Sequence, residues 1–342
     1  MTSLPPPGHR FSPRGEDELS LELSAGALRD EVFGRQVFVR GVIEVSNFCR
    51  QNCSYCGMRR ENRDLHRFRV ELESLRELVR HGLPDVITDL NIQTGEDVMG
   101  DREIVLPLIE TIRKVKPNLG VSVCLGTLDL KLYDELRNAG ASYYIIKLET
   151  GNRDHYRAVH APGTFEQRLG AIRYLAASGW SVSSGFIMGL PGQTPEMIEE
   201  TLNLLSELPL AGASVSPFIA GEQTPFANEP TGDFEATMRC IARLRLRNPS
   251  YVIPAVSALN LVSDDGYVRA LRAGANLATI NLTPARNRDD YLLYKRDRFI
   301  MHERRVREAI SRAGCTNSTV SIAETMRQRK AADGQGDVRA VA

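Results

Sequence analysis

Eight times between about residues 36 and 316, a run of strand length is followed by a segment whose apolar residues recur every three or four positions. The runs lie at about 38–46, 86–93, 119–126, 143–149, 180–188, 211–218, 251–257 and 275–282. The helical patterns lie at about 71–82, 102–115, 129–139, 165–178, 195–207, 234–247, 264–273 and 303–313. Strands joined through helices run parallel, and eight such units in ~280 residues close on themselves. The spacing therefore predicts the α/β class and a complete (β/α)8 barrel of the TIM type over 36–316. Residues 1–35 read as an N-terminal arm, Pro-rich to about Arg14, with one amphipathic helix from Glu16 to Arg29. Residues 317–342 lose apolar periodicity and read as a polar, flexible tail.

Alternate side chains of a barrel strand point into the barrel and toward the helices. If Thr88, Leu90 and Ile92 face the helices, Asp89, Asn91 and Gln93 face inward; if Tyr144, Ile146 and Leu148 face outward, Lys147 and Glu149 lie inside. The same parity turns Glu44, Ser46, Ser181, Ser183, Ser214, Ser216, Asn281 and Thr283 inward. A barrel packed for stability alone is filled with Val, Ile and Leu. Charges buried without partners are strongly unfavourable, so this interior predicts a cavity that holds water or a ligand. For any single Ser, a structural hydrogen-bond network is the alternative.

Cys49, Cys53 and Cys56 stand at the end of the first strand, with three and two residues between them. Thiolates so spaced can ligate three irons of a [4Fe-4S] cubane and leave the fourth iron open to chemistry. A structural zinc site would close with four ligands, usually two separated Cys pairs, and no such partner set follows here. Cys124, Cys240 and Cys315 stand alone in apolar or helical contexts and read as small hydrophobes. The 43 basic and 43 acidic residues give no electrostatic basis for binding nucleic acid or an anionic membrane. No stretch approaches the ~20 apolar residues of a membrane span, and the first residues lack a signal-peptide core. An open-iron cluster calls for a reducing compartment, so the expected location is cytoplasmic.

With an aromatic residue at Tyr55, the Cys49, Cys53, Cys56 motif resembles the radical S-adenosylmethionine (SAM) superfamily. Within it, the run from Ser46 to Arg60 is similar to the [FeFe]-hydrogenase maturase HydE, with methylornithine synthase and biotin synthase as more distant relatives. Gln93 to Asp97, Gly189 to Thr194, Pro217 to Ile219, Thr224 to Asn228 and Gly274 to Asn276 extend the likeness over ~36 to 285. The resemblance implies a [4Fe-4S] cluster on the three cysteines and SAM on its open iron, cleaved by a low-potential electron to a 5'-deoxyadenosyl radical. It implies that Tyr55, Gln93, Gly95, Glu96, Asp97, Glu149, Arg168, Ile187 and Met188 surround the cofactor. Glu96 in the Gly95-Glu96-Asp97 turn would receive the methionine ammonium, and Arg168, with its fork geometry, the carboxylate. On residue chemistry alone Glu96 could be a surface turn residue, Arg168 a helix-surface cation, and Ile187 and Met188 core.

Three departures bear on the substrate: Gly126-Thr127-Leu128 replaces a HydE-like Glu, Leu148 replaces a His, and Lys147 stands where the relative has Arg. Lys147 and Glu149 are the expected catalytic pair, and Asp89, Lys147, Ser183, Asn281 and Thr283 the expected substrate ligands. Such a lining suits a small, polar, amino-acid-like molecule undergoing rearrangement or bond cleavage. HydE-type maturation of a cysteine-bound iron precursor is the alternative chemistry, and non-catalytic cluster carriage the alternative class. A flavodoxin or ferredoxin is the expected electron donor, met by Arg50, Arg59, Arg60 and Arg63 at the rim.

Overall fold

The computed structural model describes residues 16–329; the Pro-rich start and residues 330–342 lie outside them. Parallel strands form the centre: β1 Gln36–Ser46, β2 Asp89–Thr94, β3 Gly120–Cys124, β4 Tyr143–Ile145, β5 Ser181–Met188, β6 Gly212–Pro217 and β7 Leu277–Asn281. They pair in the order β6-β5-β4-β3-β2-β1-β7, with the two-residue β8 (Thr316–Asn317) added at the start of β1. The register sets Val42 opposite Asn91 and Glu44 opposite Gln93, so inward residues of neighbouring strands sit level.

The barrel class is as expected, but its closure is weaker than a complete ring. The expected strand at 251–257 is reduced to two isolated bridges, Val252 to Gly212 and Pro254 to Leu277. Pro254 has no N–H to donate to a ladder, which explains why this staple does not extend into a strand. The expected strand at 143–149 stops at Ile145, and Glu149, at φ +68°, rejoins the sheet only by a bridge to Phe186.

Four of the helices start at side-chain caps. Asp129, Thr164, Thr194 and Asp233 each accept a hydrogen bond from the backbone N–H three residues on, and Thr164 with Gln167 completes a capping box. The first helix, Glu16–Phe33, is longer than expected and is docked. Arg29 donates to the Leu271 and Ala275 carbonyls, and Glu22 pairs with Arg269.

The expected flexible tail also requires correction. Residues 322–329 form a helix across the amino-terminal end of the barrel. Its Ile322 and Met326 are buried with Phe38, Tyr143, Val252 and Leu277. Its first N–H, from Ile322, donates to Asp89 at 3.0 and 3.1 Å, as an acidic group at a helix start does. The floor of the barrel is thus closed by chain beyond the repeats.

Candidate radical-chemistry site

The carboxyl ends of the strands open into a cavity of about 440 Å³. Its roof is the loop that carries the cysteines. Arg67 knits this loop by donating to the carbonyls of Asn47, Met58, Arg59 and Asn62 at 2.6 to 3.1 Å. Asn47 in turn donates to the carbonyls of His66 and Asp290. Neither Arg67 nor Asn47 was singled out from sequence, because a lone Arg or Asn in a loop carries no spacing signal.

Cys49, Cys53 and Cys56 all line the cavity. Burial pushes all three thiols up, Cys56 to about 12, so these sulfurs are protonated until a metal replaces the protons. The Glu96 N–H donates to Cys49 Sγ at 3.4 Å, tying the first cysteine to the turn after β2. That turn requires glycine: a Cβ on Gly95 would stand 2.1 Å from the Phe48 carbonyl oxygen. Among the described residues no three His, Cys, Asp or Glu side chains converge on one metal ion. A cluster, whose irons each take one thiolate, is the group this donor set fits.

Glu96 is buried, and its carboxylate is a hub. Oε1 accepts from Arg168 and from the Thr127 N–H, both at 3.2 Å, and Oε2 accepts from Arg50 at 3.1 Å and from Gln51. Gly126, at φ +78°, leaves the space Glu96 occupies; a Cβ there would meet Glu96 Cγ at 2.2 Å. Arg168 is only 3% exposed, and its Nε has no hydrogen-bond partner. This carboxylate and guanidinium, one donor unsatisfied, suit the ammonium and carboxylate of an amino-acid group.

Deeper in the cavity Lys147 Nζ lies 3.9 Å from Glu149 and 3.5 Å from Ser216 Oγ. Glu149 Oε2 is buried without a hydrogen-bond partner. Tyr55, Gln93, Ser183, Ile187 and Asn281 also line the space. Cys124, read from sequence as a small hydrophobe, lies here too; burial raises its thiol to about 11.

Four expected residues do not line the cavity. Asp89 has the right parity but the wrong height: it sits at the floor, bonded to Ile322 N–H and Thr88, and burial raises it to about 6. Asp97 braces the roof, accepting two bonds from Arg69 at 2.7 and 2.8 Å and one from Ser46 at 2.6 Å. Thr283 is consumed by the Glu44 N–H at 3.0 Å. Met188 is core, 1% exposed.

The largest omission is the irregular segment 282–302, which crosses the mouth and contributes Tyr291, Tyr294, Arg298, Phe299 and Met301. Arg298 makes a bidentate pair with Glu44 at 2.6 and 2.8 Å, with side chains 7% and 2% exposed. At the rim, Arg50, Arg60 and Arg63 are exposed, whereas Arg59 turns in to Asn52 and Glu61. Among the described residues no helix is long and apolar enough to cross a membrane.

Comparison with known proteins follows the same line. A family model described as the radical SAM superfamily matches residues 43–205. Over 281 residues the chain is 34% identical to the [FeFe] hydrogenase maturase subunit HydE of Thermotoga maritima, covering 82% of this chain and 80% of that one. It is 29% identical over 278 residues to the 3-methylornithine synthase of Methanosarcina barkeri, covering 80% and 77%. The crystal structure of methylornithine synthase superposes with a TM-score of 0.79 at 24% identity, over 89% of this chain and 90% of that one, a likeness of fold.

Proposed function

This chain belongs to the radical SAM superfamily and is a radical SAM enzyme; from that premise we propose that it acts on a small, polar, amino-acid-like substrate held inside the barrel. When bound, the [4Fe-4S] cluster and SAM supply a carbon-centred 5'-deoxyadenosyl radical able to take a hydrogen atom or add to an acceptor. Cys49, Cys53 and Cys56 would hold the cluster. Glu96 and Arg168 would exchange their mutual contact for the methionine ammonium and carboxylate, and Tyr55, Gln93, Gly95 and Ile187 would bound the rest of the cofactor.

The observation that carries the substrate reading is the Lys147–Glu149 pair, a cation and a carboxylate 3.9 Å apart, with one carboxylate oxygen lacking a hydrogen bond. An incoming ammonium supplies the missing donors and an incoming carboxylate finds Lys147, so a zwitterion satisfies both. Ser183, Ser216 and Asn281 offer hydrogen bonds around it. Tyr291, Tyr294, Phe299 and Met301 wall the space from water, which protects a reactive carbon centre. Rearrangement or bond cleavage is the chemistry this enclosure serves. The second reading, HydE-type maturation on a cysteine-bound iron precursor, is favoured by the 34% identical relative. A flavodoxin or ferredoxin would deliver the electron at the rim bearing Arg50, Arg60 and Arg63.

The test is anaerobic turnover of reduced, reconstituted protein with deuterated amino acids. Deuterium in 5'-deoxyadenosine identifies the substrate. Stimulation only by a cysteine–iron complex moves the assignment to maturation, and absence of SAM cleavage under every condition supports the cluster-carrier reading.

A further inference from the structure

Gln51 stands between the first two cysteines of the motif and lines the cavity. Its side chain bridges two separate segments. Nε2 donates to Glu96 Oε2, and Oε1 accepts from the Gly163 N–H at 3.2 Å. A carboxylate accepts and a backbone N–H donates, so the amide can lie only one way round and serves both partners at once. The backbone of Gln51 is held as well, its carbonyl accepting from the Arg60 N–H at 2.7 Å.

Each partner leads to one of the two residues that would receive the amino-acid end of SAM. Glu96 is the first. Gly163, at φ +68°, precedes Thr164, whose capping box starts the helix Phe165–Ala177. Arg168 lies on that helix, its N–H donating to the Thr164 carbonyl at 3.0 Å. One amide therefore ties the carboxylate to the start of the helix that carries the guanidinium. Among the donors to Glu96, Arg50 and Arg168 are cations, whereas Gln51 and the Thr127 N–H are neutral. A cation beside a carboxylate competes with an incoming ammonium; a neutral donor aims the carboxylate and leaves its charge available. The Arg50 side chain is 52% exposed and can turn to water, and Arg168 would turn to the methionine carboxylate, which leaves the neutral pair in place.

We propose that Gln51 is a positioning residue for SAM, a neutral bridge between Glu96 and Gly163 that aims the Glu96 carboxylate at the methionine ammonium and sets its spacing from Arg168. It acts through Glu96 and forms no bond to SAM itself. Its loss should therefore weaken the grip on the amino-acid end and leave the nucleoside end as it was. This inference rests on the assignment of Glu96 and Arg168 to SAM and is independent of the substrate.

The experiment is equilibrium dialysis of full-length, reconstituted, oxidised protein, in which no turnover occurs, against SAM and against 5'-methylthioadenosine, which keeps the nucleoside and sulfur but lacks the amino-acid end. Gln51→Met keeps the length of the side chain and removes both hydrogen bonds. With iron content matched to wild type, it is expected to weaken SAM binding about tenfold, the scale of one hydrogen bond to a charged group, and to leave 5'-methylthioadenosine binding unchanged. Gln51→Lys keeps a donor for Glu96, but it cannot accept from Gly163 and brings a competing charge, so it too is expected to bind SAM more weakly. Unchanged SAM affinity in Gln51→Met, or wild-type affinity in Gln51→Lys, overturns the proposal. Equal losses for the two ligands overturn it by making the effect a general distortion of the site, and loss of iron uptake in both variants does so by assigning Gln51 to the cluster loop. Wild-type protein that binds neither ligand refutes the cofactor reading itself, and this inference falls with it.

Discussion

Replacing Arg298 by Met tests whether the segment over the mouth is fastened from inside the chamber. Arg298 and Glu44 meet in a bidentate pair at 2.6 and 2.8 Å, both side chains almost wholly buried. Two unit charges about 4 Å apart attract by ~4 kcal/mol at an effective dielectric constant of ~20, much of it offset by the desolvation of both ions. Removing only one partner keeps the desolvation of the other, and the expected loss is ~3–5 kcal/mol. After Arg298→Met the next donor to Glu44 is Gln93 Nε2, at 3.5 Å, too long to replace a guanidinium. Glu44→Gln leaves Arg298 a neutral acceptor at the same place, and its Nη2 still donates to the Arg288 carbonyl at 2.9 Å, so this variant should lose less. The double variant should recover ~2 kcal/mol or more relative to the sum of the singles. Urea unfolding of all four proteins measures the cycle. Additive single effects, or an Arg298→Met loss below ~0.5 kcal/mol, would refute the reasoning and reduce the pair to a surface-like contact.

Met326→Ala distinguishes a floor helix from a loose tail: a buried Met lost from the Phe38 and Tyr143 cluster costs ~2–4 kcal/mol in urea unfolding, and an exposed tail residue nothing. Asp101 is buried, bonded to Thr94 at 2.9 Å, and burial raises its carboxyl from 3.8 to about 8. The protonated acid is thus favoured by folding: the contribution of Asp101 to stability should be fully present below pH ~4 and be lost, with a slope worth a few kcal/mol, as pH rises to ~8. Asp101→Asn, neutral throughout, should abolish that slope, and parallel pH profiles of the two proteins would contradict the assignment. Gly95→Ala forces a Cβ to within 2.1 Å of the Phe48 carbonyl, so iron bound after reconstitution should fall severalfold; full iron content would mean that the turn yields.

The barrel was legible because its strands and helices obey two different periods, and eight alternations leave few topologies. What periodicity reports, however, is the face of a strand and not the height along it. Asp89 and Gln93 share one face of β2, yet Gln93 lines the cavity while Asp89 is spent at the floor on the Ile322 N–H. Within the turn after β2 the motif treated Glu96 and Asp97 alike, whereas Glu96 lines the cavity and Asp97 is consumed by Arg69 and Ser46. The weak staple at 251–257 was readable in principle from Pro254. Segment 282–302 was not, because an irregular strap has no period, and Arg298 is read as important only once Glu44 is seen opposite it.

One end of the chamber is closed by a helix beyond the strand-helix repeats and the other by the long connection within the last of them, and that bears on substrate choice. The repeat strands supply Glu44, Asp89 and, just beyond β4, Lys147 and Glu149; helix 322–329 and the mouth segment decide which of these remain available. The floor helix gives Asp89 a backbone donor, and the mouth segment gives Glu44 a guanidinium. Glu96 is held by Arg50, Gln51 and Arg168. Glu149 is left facing Lys147 at 3.9 Å with an oxygen that accepts no hydrogen bond. Among these described carboxylates it is the one whose hydrogen bonding is incomplete without a ligand, and a buried acceptor in that state favours a donor-bearing guest. A barrel with the same cysteines but a different mouth segment would leave a different carboxylate open, so one fold can serve several substrates without altering its cluster site.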